Sequence, residues 1–233
     1  MTRSLLAALA LGLLAAPTAS LAASAQAPAF VELFTSQGCS SCPPADAYLA
    51  ELAARDDVVA LSFHVDYWDR LGWPDTLASP AYSARQRDYA RARGDGQVYT
   101  PQIVVGGRAH AVGSAQGDVE ALVATLSAST RVECAEDGGR LTVDLTGDAA
   151  AKDASVWLAT FKTETVVPIA RGENRDRTIT YSHSVTALEE LADWSGEATR
   201  MDFAMPALGP GQGAAVFVQT ADGRVLGADY VKR

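Results

Sequence analysis

Basic charge is scarce in this chain. Lysine and arginine number 19 against 28 aspartates and glutamates, a formal net charge of -9 at pH 7. No basic stripe is left to neutralise phosphates, which argues against a general nucleic-acid role. The one small basic cluster, Arg85–Arg93, has acidic neighbours and helical spacing and reads as a solvated helix face. Long apolar runs are lacking beyond residue 27, so no later segment suits a bilayer span. Cysteine is rarer still, at 3, and a paired structural zinc site would lack its second ligand pair. There is no glycine-rich nucleotide fingerprint either. Gly172-Glu173-Asn174-Arg175 lacks the strand–turn–helix setting such a loop needs and reads as a polar turn network.

What is present begins with a leader. Arg3, the apolar run Leu5–Ala16 and the Ala25-Gln26-Ala27 triplet make residues 1–27 read as a secretory signal. The expected location is the periplasm or the exterior, with no stable membrane insertion after cleavage. Such a setting favours disulfides.

Two of the three cysteines form Cys39-Ser-Ser-Cys42, between a strand-like run, Phe30–Phe34, and a helix-like stretch, Ala45–Arg55. A CxxC pair between strand and helix suits thioredoxin-type redox chemistry, because a helix N-terminus helps stabilise the attacking thiolate. A structural disulfide and a metal-related site are the other two readings of the same spacing. Cys134 is left over and reads as a core cysteine, with an intermolecular disulfide open to it.

Along the chain, Val58–Val65 predicts a buried strand, Asp66–Ser79 an ordered loop and Pro80–Arg93 a helix. Gln102–Val105 and Arg108–Val112 predict strands about a Gly106-Gly107 turn, and Asp118–Leu126 a helix. The order β-α-β-α-β-β-α calls for a sheet covered on both faces. From Arg131 onward the runs shorten: Arg140–Leu145, Ser155–Phe161, Glu164–Pro168 and Arg177–His183, with Val185–Leu191 ambiguous between strand and helix. Ala214–Gln219 and Arg224–Tyr230 predict a hairpin about Ala221-Asp-Gly223. The expected organisation is a signal over 1–27, an α/β domain over 28–128 and an all-β, sandwich-like domain over 129–233.

Longer motifs carry a resemblance. Val31-Glu-Leu-Phe-Thr-Ser-Gln-Gly-Cys-Ser-Ser-Cys-Pro-Pro-Ala-Asp46 resembles the opening of the DUF1223 family of exported, thioredoxin-like proteins. Leu61-Ser-Phe-His-Val-Asp-Tyr-Trp-Asp69, Ala84-Arg-Gln-Arg87, Val98-Tyr-Thr-Pro-Gln102, Gly172-Glu-Asn-Arg175 and Leu226-Gly-Ala228 continue it. The resemblance implies a thioredoxin-like first domain followed by a β domain. It implies Cys39 as the more exposed, nucleophilic cysteine, Cys42 as the resolving one and a cis Pro101 after Thr100. Glu32 is a candidate proton acceptor for Cys42, with a structural acid as the alternative. His64, Asp66 and Trp68, at the carboxyl end of a core strand, are candidates to line a substrate groove.

These readings converge on an exported thiol–disulfide oxidoreductase acting on protein or small-molecule disulfides. It needs no cofactor, and it implies a redox partner because one turnover exhausts the pair. The alternatives are a periplasmic binding or assembly module with a structural disulfide, or a copper metallochaperone.

Overall fold

Alternating apolar positions decide how the strands bury. The computed structural model describes residues 27–126, 128–148, 151 and 153–231. The predicted leader lies outside the described residues except for Ala27. The first strand, β1 (Ala29–Thr35), is buried at every position. Its Val31 and Leu33 face one way with Ala45, Leu49 and Leu52 of the first helix, α1 (Pro43–Ala53). Phe30 and Phe34 face the other way, as the period of two requires. Strand β2 (Val58–His64) runs parallel to β1, while β3 (Gln102–Val105) and β4 (Ala109–Val112) add antiparallel strands on its other side. Helix α2 (Pro80–Arg93) covers the face opposite α1, and α3 (Gln116–Thr125) joins α1. This is the mixed α/β, thioredoxin-like first half that the sequence predicts.

The second half is all β. It comprises β5 (Val132–Asp137), β6 (Arg140–Leu145), β7 (Ala154–Pro168), β8 (Thr178–Trp194), β9 (Thr199–Ala204), β10 (Gln212–Thr220) and β11 (Val225–Tyr230). Strands β7 and β8 are long, and each absorbs two of the predicted short runs, including the ambiguous Val185–Leu191. Bulges at Val156/Trp157 and Thr160/Phe161 keep their pairing in register over that length. Strands β5 and β9 were hidden in the sequence by charge: Glu133, Asp137, Arg200 and Asp202 punctuate them.

The two halves share one sheet. Its order is β11-β10-β7-β8-β2-β1-β3-β4, and the junction is the parallel pairing of β2 with β8, Ser62 opposite Ser184. Side chains reinforce that junction: the Tyr230 hydroxyl accepts from the Ala60 N–H (2.8 Å) and donates to its carbonyl (3.0 Å). The predicted boundary at 128/129 falls between α3 and β5, and the sheet runs across it.

The large sheet curls. Val225 N–H donates to the Gly106 carbonyl at 2.9 Å, and Phe30 stacks on Phe217 at 4.7 Å. The inside of the curl holds Phe34, Phe63, Phe161 and Phe217, closed by Tyr82 and Tyr89 of α2. The outside is covered at one end by α1 and α3. At the other end the three-stranded sheet β5-β6-β9 packs on it, burying Leu141 and Val143 against Val156, Val216 and Leu226. That second packing makes the sandwich.

Glu32 sits inside the curl with a fully buried side chain. Its carboxyl accepts from Arg85 Nε (2.6 Å) and the Tyr89 hydroxyl (2.5 Å). Arg85 also donates to Gln219 (3.0 Å) and lies over the rings of Phe63, Tyr89 and Phe217. Removing one member of such a buried pair strands the other charge. Glu32→Ala is therefore expected to lower unfolding free energy by about 3–5 kcal/mol in urea denaturation. A loss below about 1 kcal/mol, the usual value of an exposed pair, would contradict this account.

Candidate functional site

The chain turns sharply between β1 and α1. Gly38 N–H donates to Ser36 Oγ (3.1 Å), Cys39 N–H to the Ser36 carbonyl (3.1 Å) and Cys42 N–H to the Cys39 carbonyl (3.2 Å). Helix α1 starts at Pro43, directly after Cys42 as its N-cap. The two prolines fit because the first helical N–H groups have no partner inside a helix. Cys39 and Cys42 are joined as a disulfide across 5.4 Å between Cα atoms.

Both cysteines are buried. Cys39, expected to be the exposed one, is only 1% exposed, and only Ser40 and Ser41 between them face solvent. The loop that carries Cys39 is tied down from the second half of the chain. Asn174, from the turn joining β7 to β8, donates its side-chain amide to the carbonyls of Gln37 (3.0 Å) and Cys39 (2.8 Å).

The other predicted residues separate into two groups. The Thr100–Pro101 bond is cis. The Pro101 carbonyl accepts from Gly113 N–H (2.9 Å), and a Cβ on Gly113 would crowd Ala45, Leu33 and Pro101. The proline loop thus closes on the first turn of α1. Trp68 bridges loop and proline: its indole N–H donates to Thr100 Oγ1 (2.8 Å), and its Cβ lies against Gly38. His64 reaches the loop through Asp75, whose Oδ2 contacts His64 Nδ1 (2.8 Å) and accepts from Gln37 N–H (2.8 Å). Asp66 belongs elsewhere, since it accepts from Ser83 Oγ of α2 at 2.5 Å. Glu32 lies on the sheet face opposite α1 and is held by Arg85 and Tyr89, so the geometry gives it the structural role.

The acid on the α1 face is Asp46. It lies one turn after Cys42, a spacing that puts both on the same side of a helix. Neither carboxyl oxygen has a hydrogen-bond partner, and burial pushes its pKa up to about 7. His64 opposes that rise, and Asp75 adds to it. His64 Nε2, Tyr181 OH, Thr35 Oγ1, Ser62 Oγ and Ser184 Oγ are also buried without partners. Tyr181 packs edge-on to His64 at 4.7 Å, and burial raises its pKa. Strand alternation and the packing of α1 place these groups beneath the helix that begins at the disulfide. Asp46, Asp75, Asn174 and Tyr181 were missed as site residues. The Cys42–Asp46 helical spacing signalled the first of them, and the Gly172-Glu173-Asn174-Arg175 motif marked Asn174 without its partner.

Among the described residues, no group of three or more His, Cys, Asp or Glu side chains is arranged to hold a metal ion. No helix among them is long and apolar enough to cross a membrane.

The model of the family described as "Protein of unknown function (DUF1223)" matches residues 30–219. A crystal structure of an Agrobacterium tumefaciens protein is similar at 33% identity and a TM-score of 0.74, over 88% of this chain and 93% of that one. HBP35 of Porphyromonas gingivalis is similar in fold, with a TM-score of 0.59 at 14% identity, over 88% of this chain and 74% of that one. No curated protein matches the sequence.

Asp46 generates a pH prediction. Its folded-state pKa is about 7 against an ordinary 3.8, so between those values the folded protein binds the extra proton. Stability is then lost as pH rises through that window. Asp46→Asn removes the effect. It is expected to change stability little at pH 4 and to raise it by up to about 4 kcal/mol at pH 8, read from urea unfolding of the oxidised protein. A gain that is equal at the two pH values would refute the assignment.

Proposed function

The chain belongs to the DUF1223 family, and on that premise we propose that it is an exported thiol–disulfide oxidoreductase acting on protein or small-molecule disulfides. One observation carries the reading: a Cys39–Cys42 disulfide at the start of α1, beside the Thr100–Pro101 loop and one helical turn from a buried, unpartnered Asp46. The leader-like residues 1–27 support export to the periplasm or beyond.

In the reducing direction, Cys39 thiolate attacks one sulfur of a substrate disulfide. A Cys39–substrate S–S bond forms, and the other substrate sulfur leaves as thiolate and takes a proton. Cys42 then gives its proton to the Asp46 carboxylate and attacks Cys39 Sγ. The Cys39–Cys42 bond forms and the second substrate thiolate leaves. Two electrons pass from the cysteine pair to the substrate, and a redox partner restores them. Oxidation of a substrate is the same sequence reversed. A group with a pKa near 7 suits the proton transfer, because it both accepts and returns the proton at neutral pH. Trp68 and Thr100 position the proline loop along the path of an incoming disulfide.

The burial of Cys39 favours a second reading, a binding or assembly module whose disulfide is structural. Equilibration with glutathione or dithiothreitol buffers separates the two. A readily exchanging pair with a potential above roughly -250 mV supports the redox catalyst, and slow exchange with a potential below about -300 mV supports the structural disulfide.

Three substitutions test the assigned roles. Cys39→Ser is expected to abolish exchange, while Cys42→Ser accumulates a mixed disulfide visible by intact mass. Asp46→Asn is expected to slow resolution of that mixed disulfide about 10²-fold at pH 7, with formation by Cys39 unaffected. Equal resolution rates would remove Asp46 from the mechanism.

A further inference from the structure

The turn joining β7 to β8 lies on the disulfide loop. Asn174 is 1% exposed despite its polar side chain. Besides its two bonds to the Gln37 and Cys39 carbonyls, its Oδ1 accepts from Arg177 (3.2 Å). The neighbouring Glu173 carboxylate accepts from the Ser40 N–H (3.2 Å). Gly172, at a φ of 79°, seats the turn on Trp73, where a Cβ would come within 3.2 Å of the Trp73 Cβ. Trp73 in turn donates to Gln37 Oε1 (2.9 Å). Two carbonyls and one N–H of the segment carrying Cys39 are thus taken by side chains of a turn more than 130 residues away in sequence.

The pattern is that of main-chain pairing. An extended polypeptide docks by offering N–H groups to carbonyls and a carbonyl to an N–H. Asn174 and Glu173 offer the same groups from their side chains. The base of the turn is apolar, with Ile169 buried against Trp73 and Leu77, but its tip meets the disulfide loop through polar groups: Glu173, Arg175 and Asp176 are exposed, and no apolar side chain of Gly172–Asp176 enters the site. Such a contact opens at low cost compared with a packed core. Exchange needs an incoming sulfur in line with the Cys39–Cys42 bond, and with Cys39 only 1% exposed the loop or what lies on it has to move; the turn bonded to the Cys39 carbonyl is the neighbour held by polar contacts at its tip. Closed, the turn also holds a carboxylate beside the Cys39 peptide, which disfavours the thiolate.

We propose that the Gly172–Asp176 turn is a built-in cap over Cys39, seated in the main-chain positions that an extended, cysteine-containing polypeptide occupies when it displaces the cap. The proposal deepens the oxidoreductase reading and rests on it for the substrate.

Three forms of the reduced full chain test the cap: wild type, N174D and E173Q. N174D keeps the shape of the side chain and replaces both donors with a carboxylate, whose charge alone slows alkylation, so a faster rate reports opening; E173Q keeps the size of an exposed group and removes its charge. The readout is the rate of Cys39 alkylation by iodoacetamide, located by mass spectrometry, in proteins with matching circular dichroism. N174D is expected to react about tenfold faster than wild type, and E173Q about two- to threefold faster. Equal rates in all three overturn the cap. A second arm compares exchange of the wild-type pair with two disulfides, that of a cysteine-containing pentapeptide and 2-hydroxyethyl disulfide, which has no main chain. The peptide is expected to react about tenfold faster, and equal rates overturn polypeptide docking. Faster alkylation in the variants with no exchange of either disulfide leaves the cap standing and removes the oxidoreductase reading. Ready exchange with equal alkylation rates does the reverse.

Discussion

The structure depends on one short stretch of parallel pairing, where β2 meets β8 with Ser62 opposite Ser184. A β-ladder alone contributes little over so few residues. The junction holds because what surrounds it is buried: α1 lies over one side, the aromatic interior of the curl over the other, and the Tyr230 hydroxyl bonds both backbone groups of Ala60. Without that join, the first half is a small thioredoxin-like unit and the second a separate sandwich. With it, β7 and β8 run as a single hairpin from the sandwich to the disulfide, and their connecting turn reaches Cys39.

The same junction explains the polar groups beneath α1. Buried oxygens and nitrogens without partners cost stability, and proteins keep few of them. Here Thr35, Asp46, Ser62, His64, Tyr181 and Ser184 contribute such atoms on one sheet face. An apolar filling would be more stable. They lie next to the helix that starts at the disulfide, and there a carboxyl kept out of water holds its proton near neutral pH. Glu32 shows the contrast. It is equally buried, but an arginine and a tyrosine satisfy it, and it serves the interior of the curl.

Much of this was legible locally. Strand–CxxC–helix, the Thr100-Pro101 pair and the hairpin about Ala221-Asp-Gly223 are each set by neighbours a few residues apart. The two-half division into α/β and all-β structure followed from the change in periodicity after Arg131. What stayed hidden is non-local. That Glu32 lies on the sheet face away from α1 turns on strand register, which no local pattern sets. The fusion of Ser155–Phe161 with Glu164–Pro168 depends on bulges, and polar Lys162 and Thr163 disguise it. Gly172-Glu173-Asn174-Arg175 was legible as a polar turn network. Its partner, the loop that carries Cys39, was not.

The continuous sheet also bears on how this gene can be divided. Ending the chain after α3 would strip β8 from β2 and leave a buried parallel strand as a bare edge, with its row of unpaired N–H and carbonyl groups open to another copy. The same cut would uncover Phe30, Phe34 and Phe63, whose partners Phe161 and Phe217 come from the other half. A thioredoxin-like half that looks separable by its motifs is therefore an aggregation hazard as a fragment. A cut that keeps the sheet whole has to fall beyond β11.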